Sequence, residues 1–74
     1  MKPLLISPHA FQRFLRRQIS RAEVERTVRT PDLIQPARRG RLRAIKELGE
    51  RKLHVFYKET PGSVVIVTAY WRDR

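Results

Sequence analysis

The chain has 74 residues, too few for more than one domain, and carries 17 Lys and Arg against 7 Asp and Glu, a net charge of +10. A domain this small buries only about 60% of the surface its unfolded chain exposes. With no cysteine, neither a disulfide nor a thiolate zinc site can staple it, so packing must hold it together. Thirteen of the cations are arginine, whose planar fork binds phosphate bidentately and stacks on bases. The excess therefore points to nucleic acid, with an acidic protein as the rival partner. Leu4, Leu5 and Ile6 are the only large apolar run before Ser7, too short for a signal peptide, and no stretch reaches membrane-spanning length. The expected location is the cytoplasm, with no membrane partner.

Residues 2–6 read as an extended lead-in that packs Leu4 or Ile6 beneath the first helix. That helix, residues 7–17, opens with Ser7 as N-cap and Pro8 at the first helical position, where a missing N–H costs nothing. At about 100° per residue Ala10, Phe11, Phe14 and Leu15 share one side, while His9, Arg13, Arg16 and Arg17 share the other. The helix should stop near Gln18, because Ser20 and Glu23 form a capping box and Ile19 and Val24 hold the positions of a hydrophobic staple. Helix two then runs to about Arg29 and is closed by Thr30-Pro31.

From Leu33 the period changes to two and β-branched and aromatic residues take over. Residues 33–35 make a short edge strand at most, since Pro36 follows. Arg38-Arg39-Gly40-Arg41 is a basic turn. Residues 41–48 form a strand with Leu42, Ala44, Lys46 and Leu48 on one face and Arg41, Arg43, Ile45 and Glu47 on the other. Gly49-Glu50 turns the chain into residues 52–58, where Leu53, Val55 and Tyr57 alternate with His54, Phe56 and Lys58. Thr60-Pro61-Gly62-Ser63 reads as a type II turn. Residues 64–71 are apolar on both faces, as in a strand buried within the sheet. The architecture expected is a single α+β domain over residues 1–74, two N-terminal helices packed on a three- or four-stranded antiparallel sheet.

In that arrangement the His9, Arg13 and Arg17 stripe borders a groove whose floor is the strand carrying Lys46, and the basic run from Arg38 to Lys46 forms the other wall. Metal-dependent nuclease chemistry needs converging carboxylates, and the seven acids are scattered. Ser7 and Ser20 are better explained as caps than as nucleophiles. No metal or cofactor is expected. What remains is RNA cleavage through its own 2′-hydroxyl, which needs a base, an acid and fixed cations around the phosphorane. His9 lies in the first turn of its helix, where free N–H groups attract phosphate; a structural and a catalytic imidazole both fit there. His54, alternating with sheet residues, reads as structural or surface.

Ser7-Pro8-His9-Ala10 with Arg13, then Arg16-Arg17-Gln18-Ile19-Ser20 with Glu23-Val24, and finally Val65-Ile66-Val67-Thr68-Ala69-Tyr70 resemble a bacterial domain-of-unknown-function family. Its pattern is Ser-x-His-Ala-x-x-Arg, Arg-Gly-Ile-Ser and a terminal Val-x-Thr-x-Tyr. That family is grouped with the RelE and BrnT toxins in the barnase-EndoU-colicin-RelE nuclease fold. The resemblance implies a RelE/BrnT-like fold and a small metal-free ribonuclease, the toxin of a toxin-antitoxin pair. His9 and Arg13 match its first motif, Arg17 its second, and Thr68 and Tyr70 its last; Lys46 is matched only by its place in the sheet. From the resemblance together with the basic stripe and groove, the expected site has His9, Arg13, Lys46 and Tyr70 as catalytic residues and Arg16, Arg17, Arg38, Arg39, Arg41 and Arg43 as phosphate ligands. RNA, including ribosome-bound mRNA, and an acidic antitoxin are the implied partners. The alternative is a non-catalytic basic RNA-binding or ribosome-associated module. Gln18 stands where the family has Gly, so a non-glycine residue is expected in a left-handed conformation at the helix end.

Overall fold

A computed structural model describes residues 2–73. Eight short elements follow one another: β1 (Leu4–Ile6), α1 (Pro8–Arg16), α2 (Arg21–Arg29), β2 (Leu33–Pro36), a 3-10 turn (Arg38–Gly40), β3 (Leu42–Leu48), β4 (Arg51–Glu59) and β5 (Val64–Asp73). Among the described residues no helix is long and apolar enough to cross a membrane.

The α1 start is the one its residues specify, with the Ser7 side chain accepting the Ala10 N–H at 3.1 Å and Pro8 in the first turn. Its end is a complete Schellman motif. The Ile19 N–H reaches back to the Phe14 carbonyl at 2.8 Å and the Gln18 N–H to that of Leu15 at 3.2 Å, while Gln18 takes φ 57°. This satisfies carbonyls the helix would otherwise leave open, and it brings Ile19 onto Phe14, both buried in the core. The next helix begins at once. Ser20 Oγ accepts the Glu23 N–H at 3.1 Å, and Glu23 Oε1 accepts the Ser20 N–H at 2.9 Å. Ile19 and Val24, the staple pair, are both buried.

The sheet departs from the three or four antiparallel strands expected. It has five, in the order β1-β5-β4-β3-β2, and β1 runs parallel to β5 with Leu4, Leu5 and Ile6 opposite Val64, Val65 and Ile66. The lead-in is thus an edge strand, three residues long and so too short to display a period. Arg21 Nη2 donates to the Leu4 carbonyl at 3.2 Å and Arg29 Nη2 to that of Lys2 at 2.7 Å, so α2 ties down this edge. β2 is the opposite edge and pairs with β3 alone.

Two turns resolve differently. Gly49 has φ 72° at the first of two loop residues between Leu48 and Arg51, as a type II′ hairpin needs. Gly62 is not among the positive-φ glycines, so the type II turn expected at residues 60–63 does not form. There the Thr60 hydroxyl accepts the Ser63 N–H at 3.0 Å and the Thr60 N–H reaches the Ser63 carbonyl at 2.9 Å, which closes the loop without a left-handed residue.

The core lies between one sheet face and the helices: Ala44, Leu53, Val55, Tyr57, Ile66 and Ala69 meet Phe14, Ile19 and Val24. α2 packs on β3 and β4, and α1 packs on β5. Of the four residues expected on the apolar side of α1, Ala10 and Phe14 are buried, but Phe11 and Leu15 stay 41% and 61% exposed. A helix resting on one strand at the rim of a sheet covers only the i, i+4 stripe that faces it.

Two stability measurements follow. Phe14→Ala should cost about 3–5 kcal/mol and leave most of so small a domain unfolded, whereas Phe11→Ala should cost under about 1 kcal/mol, both read by urea denaturation. Gln18→Gly, which removes the left-handed penalty, should raise stability by about 0.5–1 kcal/mol; a fall would show that Gln18 is held by something other than the helix end.

Candidate nucleic-acid interface

The two faces of β5 change over at one residue. Phe56 pairs with Thr68 but Tyr57 pairs with Ile66, which leaves Val67 as the extra residue of a β-bulge. On the N-terminal side Val64 and Ile66 point into the core; beyond it Ala69 is buried there and Trp71 packs against it. Thr68, Tyr70 and Arg72 are thereby sent to the opposite face, away from α2.

On that face the strand registers build rows. Leu33, Ile45, His54 and Tyr70 form one, and Gln35, Arg43, Phe56 and Thr68 the next; Glu47, Lys52 and Arg72 lie on the other side of the first. Rows are about 7 Å apart, two residues of strand. The rings of His54 and Tyr70 stack at 5.3 Å with an interplanar angle of 13°, Phe56 lies 5.9 Å from Tyr70, and the Arg43 guanidinium sits 5.0 Å over Phe56. An aromatic row with Arg43 on one side and Lys52 and Arg72, beside Glu47, on the other offers a single-stranded nucleic acid both stacking and charge.

His54 is only 7% exposed, and its Nδ1 is buried without a partner, as is the Nε of Arg43. Burial, then the charges of Arg43, Arg72 and Lys52, hold the His54 imidazole below its ordinary value of 6.5. It is neutral at physiological pH and able to accept a proton.

The residues singled out in the sequence do not all gather here. Tyr70 and Arg43 do. Lys46 lies on the helix-facing side of β3, where its Nζ donates to the Thr30 carbonyl at 2.7 Å and stands 3.9 Å from Asp32 Oδ1; the sheet separates it from Tyr70. His9, Arg13 and Arg16 are exposed on α1. Arg17 is tied to β5, with Nη1 donating to the Ala69 carbonyl at 2.7 Å, and its own carbonyl accepts the Trp71 indole N–H at 3.1 Å. Arg38, Arg39 and Arg41 belong to the connection between β2 and β3, where Arg39 has φ 60° and Gly40 φ 70°. Arg38 and Arg41 line an open cleft of about 620 Å³ together with Pro36, Ala37, Arg43, Phe56 and Thr68.

His54, Phe56, Lys52 and Arg72 are the members that the sequence motifs do not include in the site. A signal for them existed. A two-residue loop at Gly49-Glu50 fixes the hairpin register, which sets Arg43 opposite Phe56 and Ile45 opposite His54. Among the described residues no three His, Cys, Asp or Glu side chains gather where a metal ion could be held.

A family model described as Domain of unknown function (DUF4258) matches residues 6–71. Searches of the curated proteins and of the solved structures gave no match. The matched span takes in both helices and nearly the whole sheet, and the chain belongs to this family of domains of unknown function.

Proposed function

We propose that this domain binds single-stranded RNA on the open sheet face and cleaves it without a metal ion, as the toxin of a toxin-antitoxin pair related to RelE and BrnT. The observation that carries the reading is the His54–Tyr70 stack flanked by Arg43, Lys52 and Arg72. Bases stack on Phe56 and Tyr70, and the guanidinium groups take the phosphates. His54 removes the 2′-hydroxyl proton, and the 2′-oxygen attacks phosphorus. The bond to the 5′-oxygen breaks, and that oxygen takes a proton from the Tyr70 hydroxyl on the neighbouring strand. The products are a 2′,3′-cyclic phosphate and a 5′-hydroxyl end. Arg43, Arg72 and Lys52 hold the extra charge of the phosphorane, which a preorganised cation stabilises more than the ground state. An acidic antitoxin would neutralise the same cations.

His54 thus takes the role of proton carrier that the sequence motif assigned to His9. The non-catalytic alternative, an RNA-binding or ribosome-associated module, is favoured by one observation: an imidazole 7% exposed suits a stacking floor as well as a base. End-group chemistry separates the two.

Incubated RNA should acquire 2′,3′-cyclic phosphate ends. His54→Gln should slow this by about 10²–10⁴-fold, with a smaller loss from His9→Ala; the reverse order would return the chemistry to α1, and absence of cyclic ends would leave only binding. Because a base must be neutral to act and the His54 pKa lies below 6.5, the acid limb of the cleavage rate should fall below that pH, and it should vanish in His54→Gln. Expression in growing cells should arrest growth, and a co-expressed acidic neighbour should relieve it.

A further inference from the structure

The cleft at the end of the sheet face is built differently from the rows beside it. It is lined by Arg43, Phe56 and Thr68 of one row together with Pro36, Ala37, Arg38 and Arg41 from the end of β2 and the connection to β3. Three arginines line it, Arg38, Arg41 and Arg43, and neither of the two salt bridges among the described residues involves any of them. The Arg43 Nε is buried and without a partner. The backbone between Arg38 and Arg41 carries strain: Arg39 is a non-glycine residue in the left-handed region, beside Gly40 at φ 70°. Backbone of that kind persists where the surroundings over-determine it, and it is concentrated at functional sites. Together these features concentrate positive charge in an open cleft beside an aromatic ring, with no carboxylate in the lining.

Resting on the RNA reading above, we infer that this cleft is a subsite for a terminal phosphate monoester, holding the phosphorylated last nucleotide of an RNA strand beside Phe56 with its phosphate among Arg38, Arg41 and Arg43. An internal phosphodiester carries one negative charge and needs room for chain on both sides. A terminal monoester carries about −1.5 to −2 at neutral pH and three acceptor oxygens, which matches three arginines in one cleft. Bidentate arginine forks suit those oxygens. The 5′ and 3′ monoesters share this chemistry, and the experiment tells them apart.

The test is fluorescence anisotropy at about 0.15 M salt, with the intact protein and one short oligoribonucleotide made in three forms: 5′-phosphate, 3′-phosphate, and hydroxyl at both ends. One phosphorylated form should bind about tenfold more tightly than the hydroxyl form. Arg38→Ala with Arg41→Ala should erase that difference while circular dichroism and the thermal midpoint stay those of a folded domain. Equal binding of all three forms overturns the terminal-phosphate subsite and leaves the RNA face standing. Should the oligonucleotides fail to bind while adenosine monophosphate binds better than adenosine, the RNA face falls and the cleft stands. If nothing binds, both fall. A phosphate preference that survives the double substitution places the monoester elsewhere and overturns the assignment to this cleft.

Discussion

A strand that is apolar on both sides can serve a core and a binding face at once only if its alternation is broken, and in β5 the break is Val67. Strict pairing from Val64 would keep Ile66, Thr68 and Tyr70 on one face. Tyr70 would then lie under the helices, and Ala69 and Trp71 would look outward. With one residue inserted, Ile66 and Ala69 are both buried in the core, and Thr68 and Tyr70 join Phe56 and His54 across the sheet. The bulge also fixes α1. The Ala69 carbonyl and the Trp71 indole are presented to Arg17 at the helix end, just beyond the point where β1 stops pairing with β5. The edge of β5 is thus covered first by a strand and then by a helix, which leaves little of it open to another chain.

The second constraint is the abrupt corner between α1 and α2. Only Gln18 to Ser20 separate the helix cap at Arg17 from the first residue of α2, and within that span the chain closes a Schellman motif, a capping box and a staple. Ile19 takes part in two of them: its N–H caps the first helix and its side chain staples the second. Each such device contributes about 0.5–2 kcal/mol, a large share in a domain with twelve buried hydrophobic residues among those described. The left-handed Gln18 costs part of that gain and is tolerated because its neighbours on both sides are fixed.

Local devices were the part of the fold legible in the sequence. Ser7 and Pro8, the Ser20/Glu23 box, the Ile19/Val24 staple and the left-handed Gln18 all depend on residues within five positions of one another, and all are present. What could not be read depends on residues far apart. β1 pairs in parallel with a strand some sixty positions away, and three residues carry no period to announce it. The bulge is invisible where every residue from Val64 to Val67 is apolar, because either phase then satisfies the pattern. The site suffered most from this. Lys46 and Tyr70 were joined as catalytic partners, yet one bulge put Tyr70 on the face that Lys46 does not share. His54, read as structural or surface, became the centre of the aromatic row once the register of two hairpins was known.

Charge is divided between two uses. Arg17, Arg21 and Arg29 spend donors on the carbonyls of Ala69, Leu4 and Lys2, so part of the arginine excess is a set of struts holding helices to the β1 and β5 side of the sheet. Those struts satisfy backbone oxygens that a thin core cannot bury cleanly. The cations of the open face and cleft, Arg38, Arg41, Arg43, Lys52 and Arg72, take part in neither salt bridge among the described residues, and their mutual repulsion weighs on the compact state. A polyanion bound there removes that repulsion and, by mass action, stabilises the folded form over the unfolded one. Under the proposed reading affinity and stability are linked: the same cations whose repulsion weighs on the free protein are those that a bound polyanion would neutralise.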